Sequence, residues 1–350
     1  MPFYYKIDKN TDSGKRTAKG LLALQEQLEA EIPKKTVDDN LLLATWNIRE
    51  FDSPAYGDRL DESFYYIAEI LSRFDLIAIQ EVRQDLKALD KVKNILGSYW
   101  KYIVTDITEG TAGNKERLAF LYDSRKVVFG GLAGEIVIEP VKKDNKTYEP
   151  AKQLARTPFI CGFQSGWFKF MLSTVHILYG EDAPNEPNRI KEIEELAKFL
   201  AKRAKDKTAW SNNLILLGDF NIYETSDETF KALTQNGFII PEEIQSLPSN
   251  APKNKHYDQI AFMLEQKQSN LKNAEIFDFY KSVFKEDDIN TYIPDMGEAF
   301  YKTSSGKARS ESSQKSYYKT YWRTHQMSDH LLMWVELKTN FSKEYLERRL

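Results

Sequence analysis

The sequence predicts an α/β fold in which two mixed, mostly antiparallel β-sheets pack face to face and helices cover them from outside. Apolar segments of strand length recur along the chain, and amphipathic helical segments separate only some of them. Strands without a helix between them pair antiparallel, whereas a crossover helix permits parallel pairing, so the sheets should be mixed. No internal repeat is visible.

Composition limits the possible classes of protein. The 350 residues are 41% hydrophobic and 13% aromatic, which is enough to bury a large core. The net charge is −3, so no global positive field would hold a polyanion, and any contact with nucleic acid must be local. The single cysteine, Cys161, excludes an internal disulfide framework and is typical of a reducing compartment. The sequence has neither a visible signal peptide nor an apolar run of about 18 residues, so we expect a soluble, cytoplasmic protein without a membrane span.

The elements follow in chain order. Residues 1–40 contain a helix candidate at 17–33 and form a predicted helical extension, while residues 41–340 form one domain, because no shift in composition follows residue 40. Apolar runs predict strands at residues 41–46, 75–80, 118–123, 158–164, 168–177, 214–220, 257–264 and 330–337. Apolar residues spaced by three and four predict helices at 61–74, 85–96 and 186–206.

The connection at residues 277–326 is long for a link between two strands, and we expect it to be a lid, a strand-gripping loop or a surface for a partner. Within it, residues 302–323 mix Ser and Gly with Lys, Arg and aromatic residues. Two interpretations of this stretch stay open. It is either a mobile surface loop or a basic, aromatic patch that contacts a polyanion.

Polar residues of one chemical kind mark the ends of several predicted strands. A single polar residue at a strand end is ordinary, because the chain emerges into water there. These residues, however, are all carboxylates, carboxamides or imidazoles: Asn47, Glu81, His176, Asp219, Asn221, Asp258, Asp329 and His330. If the strand ends converge on one rim, they form a pocket of hard oxygen donors flanked by two histidines. Such a pocket suits a small hard cation such as Mg²⁺.

The motifs around these residues resemble those of the endonuclease/exonuclease/phosphatase superfamily, and most closely those of the deoxyribonuclease I-like nucleases. Each motif alone is weak, but their shared order is specific. They are NIREF (47–51), IQEVRQD (79–85), KERLAFLY (115–122), LART (154–157), VHI (175–177), GDFN (218–221), YDQI (257–260) and SDH (328–330). The resemblance implies a four-layer α/β/β/α sandwich with the active site at the top edge of its sheets.

The resemblance also implies roles for carboxylate and amide residues. Hydrolysis of a phosphodiester needs an activated water, a stabilised pentavalent phosphoryl group and a protonated leaving oxygen. Glu81, assisted by Asn47, would hold a divalent metal, Mg²⁺ or alternatively Mn²⁺, and Asp329 would complete that site or a second one. Asp219 and Asn221 would orient the attacking water and bind a phosphoryl oxygen.

Two couples of a carboxylate and an imidazole follow from the same resemblance, Glu116 with His176 and Asp258 with His330. In each couple the acid would fix the tautomer of the histidine and stabilise its protonated form. The resemblance therefore implies a catalytic role for both histidines. The remaining two histidines of the chain are assigned no role.

Three arginines bear on the substrate. Arg49 and Arg83 neighbour the predicted metal residues and Arg156 leads into a predicted strand, so all three could bind successive phosphates, or else be salt-bridged surface residues. We expect a metal-dependent endonuclease of low sequence specificity that acts on DNA, because nothing here resembles a base-reading motif. The alternatives are a phospholipid or inositol-phosphate phosphoesterase of the same superfamily and a non-catalytic nucleic-acid-binding module.

Overall fold

The computed structural model describes residues 2–51, 53, 56–109, 114–144, 146–265 and 271–350. Its strands are β1 (Asn40–Phe51), β2 (Leu76–Val82), β3 (Trp100–Val104), β4 (Arg117–Asp123), β5 (Val128–Glu135), β6 (Val141–Lys142), β7 (Tyr148–Glu149), β8 (Phe159–Ser165), β9 (Phe168–His176), β10 (Leu214–Asp219), β11 (Asp258–Met263), β12 (Leu271–Phe277) and β13 (Leu332–Lys338).

Its α-helices are α1 (Asp12–Glu31), α2 (Asp61–Leu71), α3 (Lys87–Leu96), α4 (Pro187–Ala204), α5 (Glu228–Thr234), α6 (Glu242–Gln245), α7 (Ile289–Met296), α8 (Glu298–Tyr301), α9 (Glu311–Ser316), α10 (Arg323–Gln326) and α11 (Ser342–Glu347). Short 3₁₀ helices lie at Phe279–Lys281 and Glu286–Asp288, and a π-helix joins α9 to α10 at Tyr317–Trp322. None of the helices in the described part of the chain combines the length and the apolar composition of a membrane span.

Two large sheets carry the fold. One has six strands in the order β12-β13-β1-β2-β4-β3, and the other has five in the order β11-β10-β9-β8-β5. β1 pairs with β2 in parallel, with α2 between them in the chain, and β9 pairs with β10 in parallel, with α4 between them. The other strand pairs of both sheets are antiparallel. The predicted fold of mixed, mostly antiparallel sheets is therefore confirmed.

Successive residues of the buried strands belong alternately to two hydrophobic cores. In β1, Leu41 and Leu43 belong to the core that contains the inner faces of both sheets, while Leu42 and Ala44 belong to the core under α1, α2 and α3. Successive residues of a strand point to opposite faces, so β1 is apolar on both sides. α4 covers the five-stranded sheet with Leu196 and its neighbours. The result is four layers, helices outside and sheets inside.

Residues 311–326 are helical, so the loop interpretation of residues 302–323 is wrong for most of that stretch. The helical run is anchored by Tyr318 and Trp322, which are buried against Tyr292. The sequence of this stretch shows no clear helical pattern, because Tyr318 and Trp322 are its only buried aromatic residues in the described part of the chain and its Lys residues are exposed.

Candidate active site

Three of the predicted residues stand in one row across the five-stranded sheet. In the register of β9, β10 and β11, Asp219 is paired with His176 on one side and with Asp258 on the other. Residues directly opposite each other on neighbouring strands project to the same face. The row therefore presents two carboxylates and one imidazole side by side at the edge of the sheet.

The six-stranded sheet adds Asn47 from β1, where the register with the parallel neighbour β2 shifts, and Glu81 from the end of β2. The Nδ2 atom of Asn47 donates to Oε1 of Glu81 at 2.9 Å and to Oδ2 of Asp219 at 2.9 Å, which joins the two sheets at this edge. Glu81 and Asn221 have positive φ values, +61° and +53°. Such a conformation costs about 1 kcal/mol or more in a residue other than glycine and is often retained at functional sites.

Each predicted couple of a carboxylate and an imidazole is formed. Nδ1 of His176 lies 2.9 Å from Oε2 of Glu116, and Nδ1 of His330 lies 2.8 Å from Oδ2 of Asp258. The opposite ring nitrogens converge, because Nε2 of His176 and Nε2 of His330 lie 3.5 Å and 3.6 Å from the same Oδ2 atom of Asp219. We call these five residues the acid–imidazole cluster. Its two imidazoles face one common point, His176 from the end of β9 and His330 from the segment that precedes β13.

Asn221 holds Asp219 in place from the next turn. Its backbone N–H donates to Oδ1 of Asp219 at 2.9 Å, and its Nδ2 atom donates to the carbonyl of Ile177 at 2.8 Å. Oδ2 of Asp219 therefore remains directed at the two histidines and Asn47.

The local charges shift the pKa values within the cluster. Burial alone would lower the pKa of His330, but the carboxylates of Asp258 and Asp219 raise it well above its ordinary value. The pKa of His176 is also raised, because Glu116 and Asp219 outweigh burial and the charge of Arg156. Burial would raise the pKa of Glu116, yet His176, Arg156 and Asn114 lower it to about 2. Both imidazoles are therefore favoured in the protonated form.

The oxygen atoms near Glu81 fit a divalent cation. Burial, together with the nearby carboxylates of Glu116 and Asp329, raises the pKa of Glu81 despite the opposing effect of His176. Oδ1 of Asn47 and Oδ1 of Asp329 are buried side-chain atoms without a hydrogen-bond partner among the described residues. In that same part of the chain no three His, Cys, Asp or Glu residues form a ready metal cluster. Mg²⁺ commonly binds through one or two carboxylates and takes its other ligands from water and substrate phosphates, so a partial donor set is compatible with it.

The three predicted arginines occupy different positions. Nε of Arg156 donates to Oε2 of Glu116 at 2.8 Å, so this arginine touches the acid–imidazole cluster directly. Nε of Arg49 lies 3.7 Å from Oδ2 of Asp329, at the rim of the site. Arg83 forms its ion pair with Glu50, at 3.0 Å, rather than with a residue of the cluster.

Two residues that support the site were not assigned from the sequence. Oγ of Ser328 donates to the carbonyl of Asn47 at 2.6 Å and accepts from the backbone N–H groups of Arg49 and His330 at 3.1 Å and 3.0 Å. Its position in the SDH motif is the sequence feature that could have identified Ser328 as part of the site. Oγ of Ser249 accepts from the N–H of Asp258 at 2.8 Å, and no sequence pattern distinguishes it from other serines.

Several known proteins are similar to this chain. The profile of the endonuclease/exonuclease/phosphatase family matches residues 44–259. A deoxyribonuclease of Thioalkalivibrio sp. (strain K90mix) is 29% identical over 196 residues, which cover 55% of this chain and 48% of that protein. Deoxyribonuclease-1 of Rattus norvegicus is 28% identical over 199 residues, which cover 54% of this chain and 63% of the rat protein. The chain thus spans between about half and two thirds of the length of these relatives.

Solved structures share the fold at low sequence identity. A family member from Bacteroides thetaiotaomicron superposes with a TM-score of 0.54 at 16% identity, covering 87% of this chain and 99% of that one. A mannosyl-6-phosphatase from the same organism gives 0.51 at 16% identity, covering 85% and 99%. These structures support the fold and do not select a substrate. Since the family profile matches more than half of its length, the chain belongs to the endonuclease/exonuclease/phosphatase family, whose members hydrolyse phosphate esters.

Proposed function

We propose that this protein is a divalent-metal-dependent phosphodiesterase that cleaves DNA within the strand and with little sequence specificity. The observation that carries the proposal is the convergence of Nε2 of His176 and Nε2 of His330 on Oδ2 of Asp219. A carboxylate lies beside the opposite nitrogen of each ring, and the raised pKa of both imidazoles favours the doubly protonated ring, which presents a proton at Nε2 toward the same point. Two cationic imidazoles beside one carboxylate suit a phosphoryl group, which needs charge stabilisation and a proton for its leaving oxygen.

The proposed roles follow from these contacts. Asp219 and Asn221 orient the attacking water, His176 and His330 donate to phosphoryl or leaving oxygens, and Glu116 and Asp258 hold the imidazoles. Glu81, with Oδ1 of Asn47 and the carboxylate of Asp329, would hold the cation, for which Mg²⁺ is our first choice and Mn²⁺ the second. When bound, such an ion supplies Lewis-acid stabilisation of phosphate oxygens.

DNA is the proposed substrate on two grounds. The relatives described above are named deoxyribonucleases, and Arg156 and Arg49 place guanidinium groups beside the cluster and at its rim. Guanidinium groups bind backbone phosphates without reading bases, which accounts for the proposed low specificity. We further propose that residues 41–340 act as one catalytic domain, with residues 1–40 as a helical extension.

The test is incubation with supercoiled plasmid in Mg²⁺, in Mn²⁺ and in EDTA, beside the variant His176→Ala. Nicked and then linear plasmid is expected with metal, and the rate should fall by several orders of magnitude in EDTA and in the variant. Intact plasmid in every condition would overturn the choice of DNA. Tight, metal-independent binding without cleavage would instead indicate a non-catalytic binding module.

A further inference from the structure

A groove opens on the long connection between β12 and β13, outside the acid–imidazole cluster. One wall is the turn at residues 302–309, which is closed by an isolated β-bridge between Lys302 and Ala308, and the other is the helical run at 311–322. Its volume is about 710 Å³. Hydroxyl groups of Thr303, Ser304 and Ser313 line it together with basic and aromatic side chains. We call it the insertion groove.

The charges of the insertion groove are predominantly positive. Lys302 and Arg309 line it, against the single carboxylate of Glu298, and Lys307 is exposed on the same turn. Among the described residues, neither Lys302 nor Lys307 has a carboxylate within ion-pair distance. Arg309 donates to the carbonyl of Ala299 at 3.0 Å and lies 4.5 Å from the ring of Tyr317, so its charge is also left without a carboxylate partner in that part of the chain.

The insertion groove continues toward the active site through stacked rings. Tyr317 and Tyr321 line the groove and stack with their ring centroids 5.4 Å apart, and the guanidinium of Arg49 lies 5.6 Å from the ring of Tyr321. Arg49 in turn approaches Asp329, a proposed metal ligand, at 3.7 Å. The residues that connect the groove to the site belong to the π-helix, a winding that is frequent at functional sites.

We propose that the insertion groove binds the sugar–phosphate backbone of the substrate strand on one side of the bond that is cut. The proposal rests on the proposed function, since it takes nucleic acid as the substrate. Ammonium, guanidinium and hydroxyl groups are the donors that bind backbone phosphates. The rings do not read bases, because Tyr317 already contacts Arg309 and Tyr321, and their part is to fix the position of the cations. The contact is therefore independent of sequence.

The test compares Arg309→Gln and Lys302→Gln with the matched control Arg203→Gln, which removes an exposed charge from α4 on the outer side of the other sheet. Cleavage of a labelled 30-nucleotide duplex, and separately of the single strand, is measured in Mg²⁺ at several NaCl concentrations. The slope of log(kcat/KM) against log[NaCl] is negative, and its magnitude should fall by about 0.9 on duplex DNA, or about 0.7 on single strands, for each phosphate contact removed. Arg203→Gln should keep the wild-type slope.

A second substrate separates failure of this proposal from failure of the proposed function. Bis(4-nitrophenyl) phosphate carries one phosphate and is too small to span the site and the groove. For every variant, we therefore calculate the ratio of the rate on DNA to the rate on this compound. A fall in that ratio only for the two groove variants supports the proposal. Wild-type slopes and ratios in both variants overturn it while leaving DNA cleavage intact. A wild-type protein that hydrolyses the small diester but not DNA overturns both proposals.

Discussion

Replacement of Glu116 by Gln tests how the acid–imidazole cluster contributes to stability. The side chain of Glu116 is only 3% exposed, and its carboxylate lies 2.8 Å from Nε of Arg156 and 2.9 Å from Nδ1 of His176. Nδ2 of Asn114 donates to the same carboxylate at 2.8 Å. Burial opposes ionisation, but these neighbours outweigh it and lower the pKa from 4.5 to about 2. Glu→Gln keeps the shape of the side chain and removes its charge.

The size of the effect follows from the pKa shift of Glu116. A shift from 4.5 to about 2, at about 1.4 kcal/mol per pH unit, corresponds to about 3 kcal/mol of unfolding free energy at neutral pH. Because the pKa is lower in the folded state, this stabilisation is present above pH 4.5 and is lost as the pH falls from 4.5 toward 2. At pH 3 about 2 kcal/mol of it should be gone. Glu116→Gln cannot show this loss.

Urea unfolding of the wild type and of Glu116→Gln at pH 7, 4 and 3 measures the difference. The decline in unfolding free energy from pH 7 to pH 3 should be about 2 kcal/mol smaller in the variant. Glu194→Gln is the matched control, since Glu194 is an exposed partner of Lys198 on α4 and should decline as the wild type does. Equal declines in wild type and Glu116→Gln would refute the reasoning, because they would mean that Glu116 is not held ionised by its neighbours.

Two further predictions concern the proposed metal ligand Glu81 and the buried Ser328. Glu81→Gln should abolish the increase in DNA cleavage with added Mg²⁺, measured as a metal titration of the rate, and an unchanged titration would exclude Glu81 as a ligand. Ser328→Ala should lower the unfolding free energy by about 2–4 kcal/mol, because it leaves the partly buried N–H of Arg49 and the buried N–H of His330 without their acceptor. Urea unfolding beside the exposed control Ser304→Ala checks this, and equal stability of the two variants would contradict it.

The sequence predicted the strands that are buried and missed those that are not. β5 is a mostly exposed edge strand that contains three glycines. β12 is also an edge strand, and its sequence lacks a regular alternation of polar and apolar residues. Edge strands need not present an apolar pattern, because only one side of their backbone is paired. Their position is decided by β8 and β13, which lie far along the chain and whose influence no local pattern records.

Local sequence identifies the residues of the candidate site, but it does not identify the atoms that these residues contact. Asn47, His176 and Asp219 stand at the ends of apolar runs, so local sequence marks them. Which atoms they contact depends on how two sheets face each other, and Asn47 meets Asp219 across 172 positions of the chain. The same limit applies to Arg83, for which the sequence leaves a phosphate contact and a surface salt bridge open, and whose guanidinium lies 3.0 Å from the carboxylate of Glu50. A long charged side chain can reach several partners, and which of them it contacts depends on the burial and the charges around it in the folded protein.

Gly218 explains how the row of His176, Asp219 and Asp258 is held in register. Its φ is +133°, and a Cβ atom at this position would lie 2.2 Å from the carbonyl oxygen of Val175, on the neighbouring strand β9. Only glycine permits this approach, so the backbones of β9 and β10 can come together one residue before Asp219 and His176. A slip of one residue would turn Asp219 to the opposite face of the sheet and away from both imidazoles. The glycine of the GDFN motif therefore acts through geometry alone, by fixing the direction in which the carboxylate of Asp219 points.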